Sequence, residues 1–225
     1  MRQHIAEAKF KVLDWKEEIK RERRQITIAV ILLLLAAVAN YASGMYAEKK
    51  AASVVPDIIL DNIPPVDLSW IFVYGFLIAI GLIAIYPLIF KIKDFYTAAY
   101  HFSLLVFVRS IFIIMTHLKS PIDAVHAVFP WPLGALPFQD TLFFSGHAAL
   151  PLVGFFVFKD SKIRYFFLAS SIILAATVLL MHQHYTIDVA AAFFIAYGTY
   201  HLGEWFMSVL EKRKNSKPFR SDRFY

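Results

Sequence analysis

The sequence predicts an all-α membrane protein, a six-transmembrane-helix bundle preceded by an interfacial amphipathic helix. Three observations carry that prediction. Of the 225 residues, 59% are hydrophobic and only 18% charged, far more apolar than a water-soluble domain. The apolar residues fall into six runs, near 26–45, 69–90, 95–116, 143–158, 164–182 and 187–209. These have, or approach, the length that crosses about 30 Å of hydrocarbon at about 1.5 Å per residue. Lys and Arg gather at alternate ends of the runs, leaving only Lys49, Lys50 and Lys119 on the intervening loops. That asymmetry puts both termini on the cytoplasmic side.

Composition also narrows the function classes. The net charge of +6 comes from residues beside apolar runs, which fits attraction to anionic inner-leaflet lipids and not to nucleic acid. With no cysteine, disulfides and Cys-ligated metals are excluded.

Along the chain, residues 1–25 place Ile5, Ala8, Val12, Trp15 and Ile19 at helical spacing, with Lys and Arg over the rest of the surface. An interfacial helix and a solvated cap on the first span both account for this. Because the first 24 residues are charged throughout, no cleavable leader is expected. Residues 26–210 form the six-span domain. Pro87 and Pro151 fall inside their spans, where kinks are tolerated. The fourth run is short and opens at Ser145-Gly146-His147. Two long, Pro-rich outer loops, 46–68 and 117–140, are expected to lie in the interface as a lid over the site. Residues 211–225 are a basic cytoplasmic tail.

Ionisable residues at the rims of these runs are costly, and costly residues in membranes are usually functional. His184 and Asp188 stand one helical turn apart, so a carboxylate can fix one tautomer of the imidazole and stabilise its charged form. His147 follows Ser145-Gly146 at a helix start, where free amide groups favour an anion. Arg109 lies inside the third run, and its forked donors suit phosphate oxygens. The bland readings are a capped helix-terminal His for His184 and a structural ion pair or a snorkelling side chain for Arg109. In the six-span topology all four meet on the outer side, which favours a shared site. His182 is the natural rival of His184 but has no Asp four residues on. His182, His184 and Asp188 with His147, His117 and His126 also supply donor types for a single metal ion. The paired His boxes of membrane di-iron enzymes are absent, which leaves a lone zinc site as the metal reading of these residues.

Four stretches resemble the motifs of the sphingomyelin synthase-like branch of the type-2 phosphatidic acid phosphatase superfamily. They are Pro56-Asp57 through Asp61, Arg109-Ser110-Ile111 through Pro121, Phe144-Ser145-Gly146-His147, and His184-Tyr185-Thr186-Ile187-Asp188. They span residues 55–200. The branch's Asp before Ser-Gly-His is displaced to Asp140, with Thr141 in its place. Val178 stands where plain phosphatases of the superfamily carry an Arg. The resemblance implies catalysis by His147, His184 and Asp188 without a metal or other cofactor. Arg109, Ser145 and Gly146 would bind the phosphate, with Asp57, Asp61, Asp140, His182 and Tyr185 around them. A membrane phospholipid would donate its phospho-headgroup through a phosphohistidine to a lipid hydroxyl, either ceramide or diacylglycerol. With water as acceptor the same residues make a phosphatase or phospholipase C. A non-catalytic lipid-binding or translocating protein is the rival of another class. The chain lacks the long N-terminal region of animal members of the branch, which points to a bacterial inner membrane.

Overall fold

The computed structural model describes residues 2–90, 92–130 and 141–215, and the regular elements among them are all helical. No glycine or proline precedes Gly44, so nothing breaks the first helix, and α1 runs from Arg2 to Lys50. The expected division at residue 25 is therefore unmarked, and the charged segment continues directly into the apolar one. Trp15 Nε1 donates to the Leu88 carbonyl at 3.0 Å. A π-helical turn, Ile71–Gly75, leads into α2, Phe76–Phe90. Then come α3 (Ile92–Met115), α4 (Gly146–Val157), α5 (Arg164–Leu180) and α6 (Thr186–Asn215). Residues 211–215, assigned by sequence to the tail, thus extend α6; residues 216–225 lie outside the described residues.

Among the described residues three helical segments are long and apolar enough to cross a membrane: Trp15–Lys50, Ile71–Phe90 and Ile92–Met115. The expectation of six spans is corrected to three, and the reason is physical. With 12 and 17 residues, α4 and α5 are about 18 and 25 Å long at about 1.5 Å per residue, short of the hydrocarbon thickness. α6 is long, but Tyr197, Thr199, Tyr200, His201 and Glu204 dilute its apolar run.

Small residues set how these helices meet. On α1, Ala29, Ala36 and Ser43 recur every seven residues and are buried, while Leu34, Leu35 and Val38 are 62%, 52% and 65% exposed. The small stripe lets backbones approach closely, and α1 packs chiefly along α3. Two polar bonds fix that pairing: Tyr100 Oη donates to Gln25 Oε1 at 2.7 Å, and Arg109 Nη1 to Asn40 Oδ1 at 3.0 Å. In the other half, Gly154 sits so close to the Phe167 ring that a Cβ there would lie 3.1 Å from it. Ser171 Oγ donates to the Ala148 carbonyl at 2.7 Å. Phe144, Val153, Phe167, Val178, Ala192 and Ala196, all fully buried, form the centre of the core.

At the end of the bundle where α1 and α3 finish, here the upper end, two loops are tied together. Ser53 bridges Leu118 in parallel register, with Ala52 N donating to the His117 carbonyl at 3.1 Å and Lys119 N to the Ser53 carbonyl at 2.9 Å. The N-termini of α4 and α6 and the C-terminus of α5 reach this same end.

Candidate active site

The turn between α5 and α6 builds one half of the site. Its backbone folds so that the Tyr185 N–H donates to Asp188 Oδ2 at 3.0 Å, which anchors the carboxylate at the first turn of α6, where helix amides favour negative charge. Asp188 is fully buried. His184 Nδ1 faces the same oxygen at 3.4 Å. A proton on Nδ1, aimed at the carboxylate, leaves the Nε2 lone pair free, the arrangement a nucleophilic or basic imidazole requires.

The start of α4 builds the other half. Ser145 N donates to the Asp188 main-chain carbonyl at 3.2 Å, tying the two helix starts together. Ser145 precedes α4 in extended conformation and its hydroxyl caps no amide, so the first-turn N–H groups lack intrahelical partners. His147 packs against the Phe72 and Phe76 rings, with centroids 4.1 and 4.2 Å away.

Arg109 reaches this loop from α3. Nε donates to the Phe144 carbonyl at 3.0 Å, Nη2 to the Thr141 carbonyl at 2.6 Å, and Nη1 to Asn40. Three of the five guanidinium N–H groups are thus spent on holding the segment before α4. A Cβ on Gly146 would lie 3.5 Å from Nε. Arg109 is therefore first an anchor for Ser145-Gly146-His147, which neither the phosphate reading nor the ion-pair reading described.

The charges of these groups feel one another. His184 and Arg109 both interact electrostatically with His147, and Asp188 with Arg109. Ser145 Oγ, His147 Nε2, His182 Nε2 and Asp188 Oδ1 are buried polar atoms without a hydrogen-bond partner. Such atoms are rare in folded proteins and each asks for an explanation; four on two adjacent motifs mark a place built for something polar.

The other predicted residues act around this cluster. Asp57 is a clamp on α6: Oδ1 accepts from Ile59 N, Leu60 N and Thr186 Oγ1 at 2.9, 3.0 and 2.6 Å, and Oδ2 from Thr186 N at 2.6 Å. Burial pushes its pKa up, but these bonds, led by Thr186 Oγ1, outweigh it and hold the carboxyl below its ordinary value. Asp61 Oδ2 accepts from Asp57 N at 2.9 Å and so supports the clamp. Tyr185 is buried and its hydroxyl donates to the Lys119 carbonyl at 2.9 Å. His182 adopts a positive φ of 53° and pairs through Nδ1 with Asp123 Oδ1 at 2.9 Å. Asp140 lies outside the described residues. Among the described residues no group of three or more His, Cys, Asp or Glu side chains has metal-binding geometry.

Asn40, Thr186 and Asp123 escaped the sequence reading. Asn40 had a signal, being a lone amide inside an apolar run. A cavity of about 240 Å³ beside Tyr86, Asp94, Asp160 and Ser161 opens at the lower end and is lined by none of the candidate site residues. Comparison with protein-family models, curated proteins and solved structures finds no match to this chain.

Proposed function

We propose that the upper-end cluster transfers the phospho-headgroup of a membrane phospholipid to a lipid hydroxyl, ceramide or diacylglycerol. The observation that carries this reading is the set of unpartnered buried atoms around an Asp-backed histidine. His184 Nε2 attacks the phosphorus; the P–N bond forms as the P–O bond to the donor's glycerol oxygen breaks. Burial, His184 and Arg109 oppose a resting proton on His147, so the ring takes one up as the anionic phosphate binds beside it and gives it from Nε2 to that leaving oxygen. It then takes the proton of the acceptor hydroxyl, whose oxygen forms the new P–O bond as the P–N bond breaks. Asp188 holds His184 and balances the charge that develops on it. Ser145 Oγ, the first amides of α4 and the two remaining N–H groups of Arg109 receive the non-bridging oxygens, where preorganised donors contribute most. With water as acceptor the same steps amount to hydrolysis. In this reading the three long helices anchor the chain in a bacterial inner membrane with the N-terminus cytoplasmic, and the site, at the end where α1 and α3 finish, faces outward. The cytoplasmic C-terminus required six crossings and does not follow from three.

The experiment is turnover of labelled phospholipid by purified protein, with and without ceramide or diacylglycerol, the products being separated by chromatography. His184→Ala and His147→Ala abolish product formation. Headgroup-dependent lipid binding with no product from any donor would favour the non-catalytic lipid-binding reading.

A further inference from the structure

Residues 121–129 run from the end of α5, just before His184, to the His147 ring. Alternation along this segment has the period of an extended strand: Val125, Ala127 and Phe129 pack on the core, while His126, Val128 and Pro130 are exposed. At one end the strap is fastened to the C-terminus of α5. Val125 N donates to the Met181 carbonyl at 2.9 Å, Gln183 Nε2 donates to the Val125 carbonyl, and Asp123 pairs with His182. His182 reaches Asp123 from the left-handed region, which a histidine occupies only when its surroundings hold it there. At the other end Phe129 meets Phe72, Phe76 and the His147 ring at centroid distances of 5.6, 6.4 and 6.2 Å.

Three phenylalanines therefore surround the imidazole that must take the acceptor's proton. Water is small and abundant, so transfer to a lipid hydroxyl wins only where the approach to that base is dry and apolar. We infer that the strap, clasped by Asp123 to His182 and roofing His147 with Phe129, selects a lipid hydroxyl over water as acceptor. This rests on the phosphotransfer reading. Phe129 walls the acceptor's approach. Asp123 and His182 are positioning residues that act through it.

The test is product partition. Purified protein in vesicles of headgroup-labelled phospholipid with ceramide or diacylglycerol is assayed for label moved to lipid against label released to water. The unmodified protein makes mostly lipid product. Phe129→Ala and Asp123→Ala raise the released share relative to transfer by about tenfold, the scale on which small apolar contacts discriminate substrates, and Phe129→Leu restores most of the preference. A variant that merely folds poorly loses both products together and keeps their ratio. An unchanged ratio in Phe129→Ala and Asp123→Ala, with turnover present, overturns the inference and leaves phosphotransfer standing. Predominant release to water by the unmodified protein overturns it as well. No His184-dependent turnover of any donor overturns phosphotransfer and this inference with it.

Discussion

Replacing Asp57 tests how the site is held. Its carboxylate accepts two bonds within its own turn, from Ile59 and Leu60, and two across 129 residues of sequence, from the Thr186 amide and hydroxyl. Hydrogen bonds to charged groups contribute about 1.5–3 kcal/mol each. Taking the low end for a turn near solvent, the two bonds to Thr186 together contribute about 3 kcal/mol. Asp57→Ala loses both, while the Ile59 and Leu60 amides can turn to water. Asp57→Asn keeps an acceptor for three donors but turns an NH2 group toward the Thr186 N–H, and it costs about 2 kcal/mol. At about 2–4 °C per kcal/mol for a chain of this size, the alanine variant unfolds about 6–12 °C lower in a thermal scan in detergent. The pH dependence has a definite sign. Because the folded pKa lies below the ordinary value, the stabilisation is complete above about pH 4 and is lost as pH falls through the folded pKa. The gap between the unmodified protein and Asp57→Asn therefore closes in acid. A gap as wide at pH 3 as at pH 7 would refute the view that the carboxylate charge clamps α6.

Other predictions follow from single contacts. Arg109→Lys cannot reach Asn40, Thr141 and Phe144 together; we expect at least tenfold lower turnover and a stability loss of about 3 kcal/mol, measured by lipid turnover and thermal unfolding. An added methyl at Gly203 would lie 2.5 Å from His101 Nδ1, within a ring held by Glu204 and stacked on Tyr200. Gly203→Ala therefore costs about 1–3 kcal/mol, and much less in a His101→Ala background, which a double-mutant cycle reads directly. Tyr185→Phe removes the hydroxyl that joins Val55 N to the Lys119 carbonyl. It lowers stability by about 1–2 kcal/mol and increases amide exchange in residues 53–55 and 117–119.

Local features of the site were legible in sequence. The pairing of His184 with Asp188 was legible in their four-residue spacing, although His184 lies in the turn before α6 and not on the helix, and Ser145-Gly146-His147 falls at a helix start as its residue types require. Partners brought in by the chain path were not legible. Asp57 reaches Thr186, Asp123 reaches His182 and Asn40 reaches Arg109, in each case across loops or helices that sequence spacing does not measure. His182 has no Asp four residues on, yet a carboxylate reaches it from a loop 59 residues away. Each of the six apolar runs falls on a helix, but α1 extends from Arg2 to Lys50, far beyond 26–45, and apolar run length overstated α4 and α5, whose helices stop where the polar site and the Phe158–Arg164 turn begin.

The phosphotransfer mechanism requires a covalent bond between phosphorus and His184. Protein mixed with phosphate-labelled donor lipid and quenched in alkali should carry acid-labile label on the peptide containing His184, and none in His184→Ala. Full turnover without any such label, or an active His184→Ala enzyme, would contradict it.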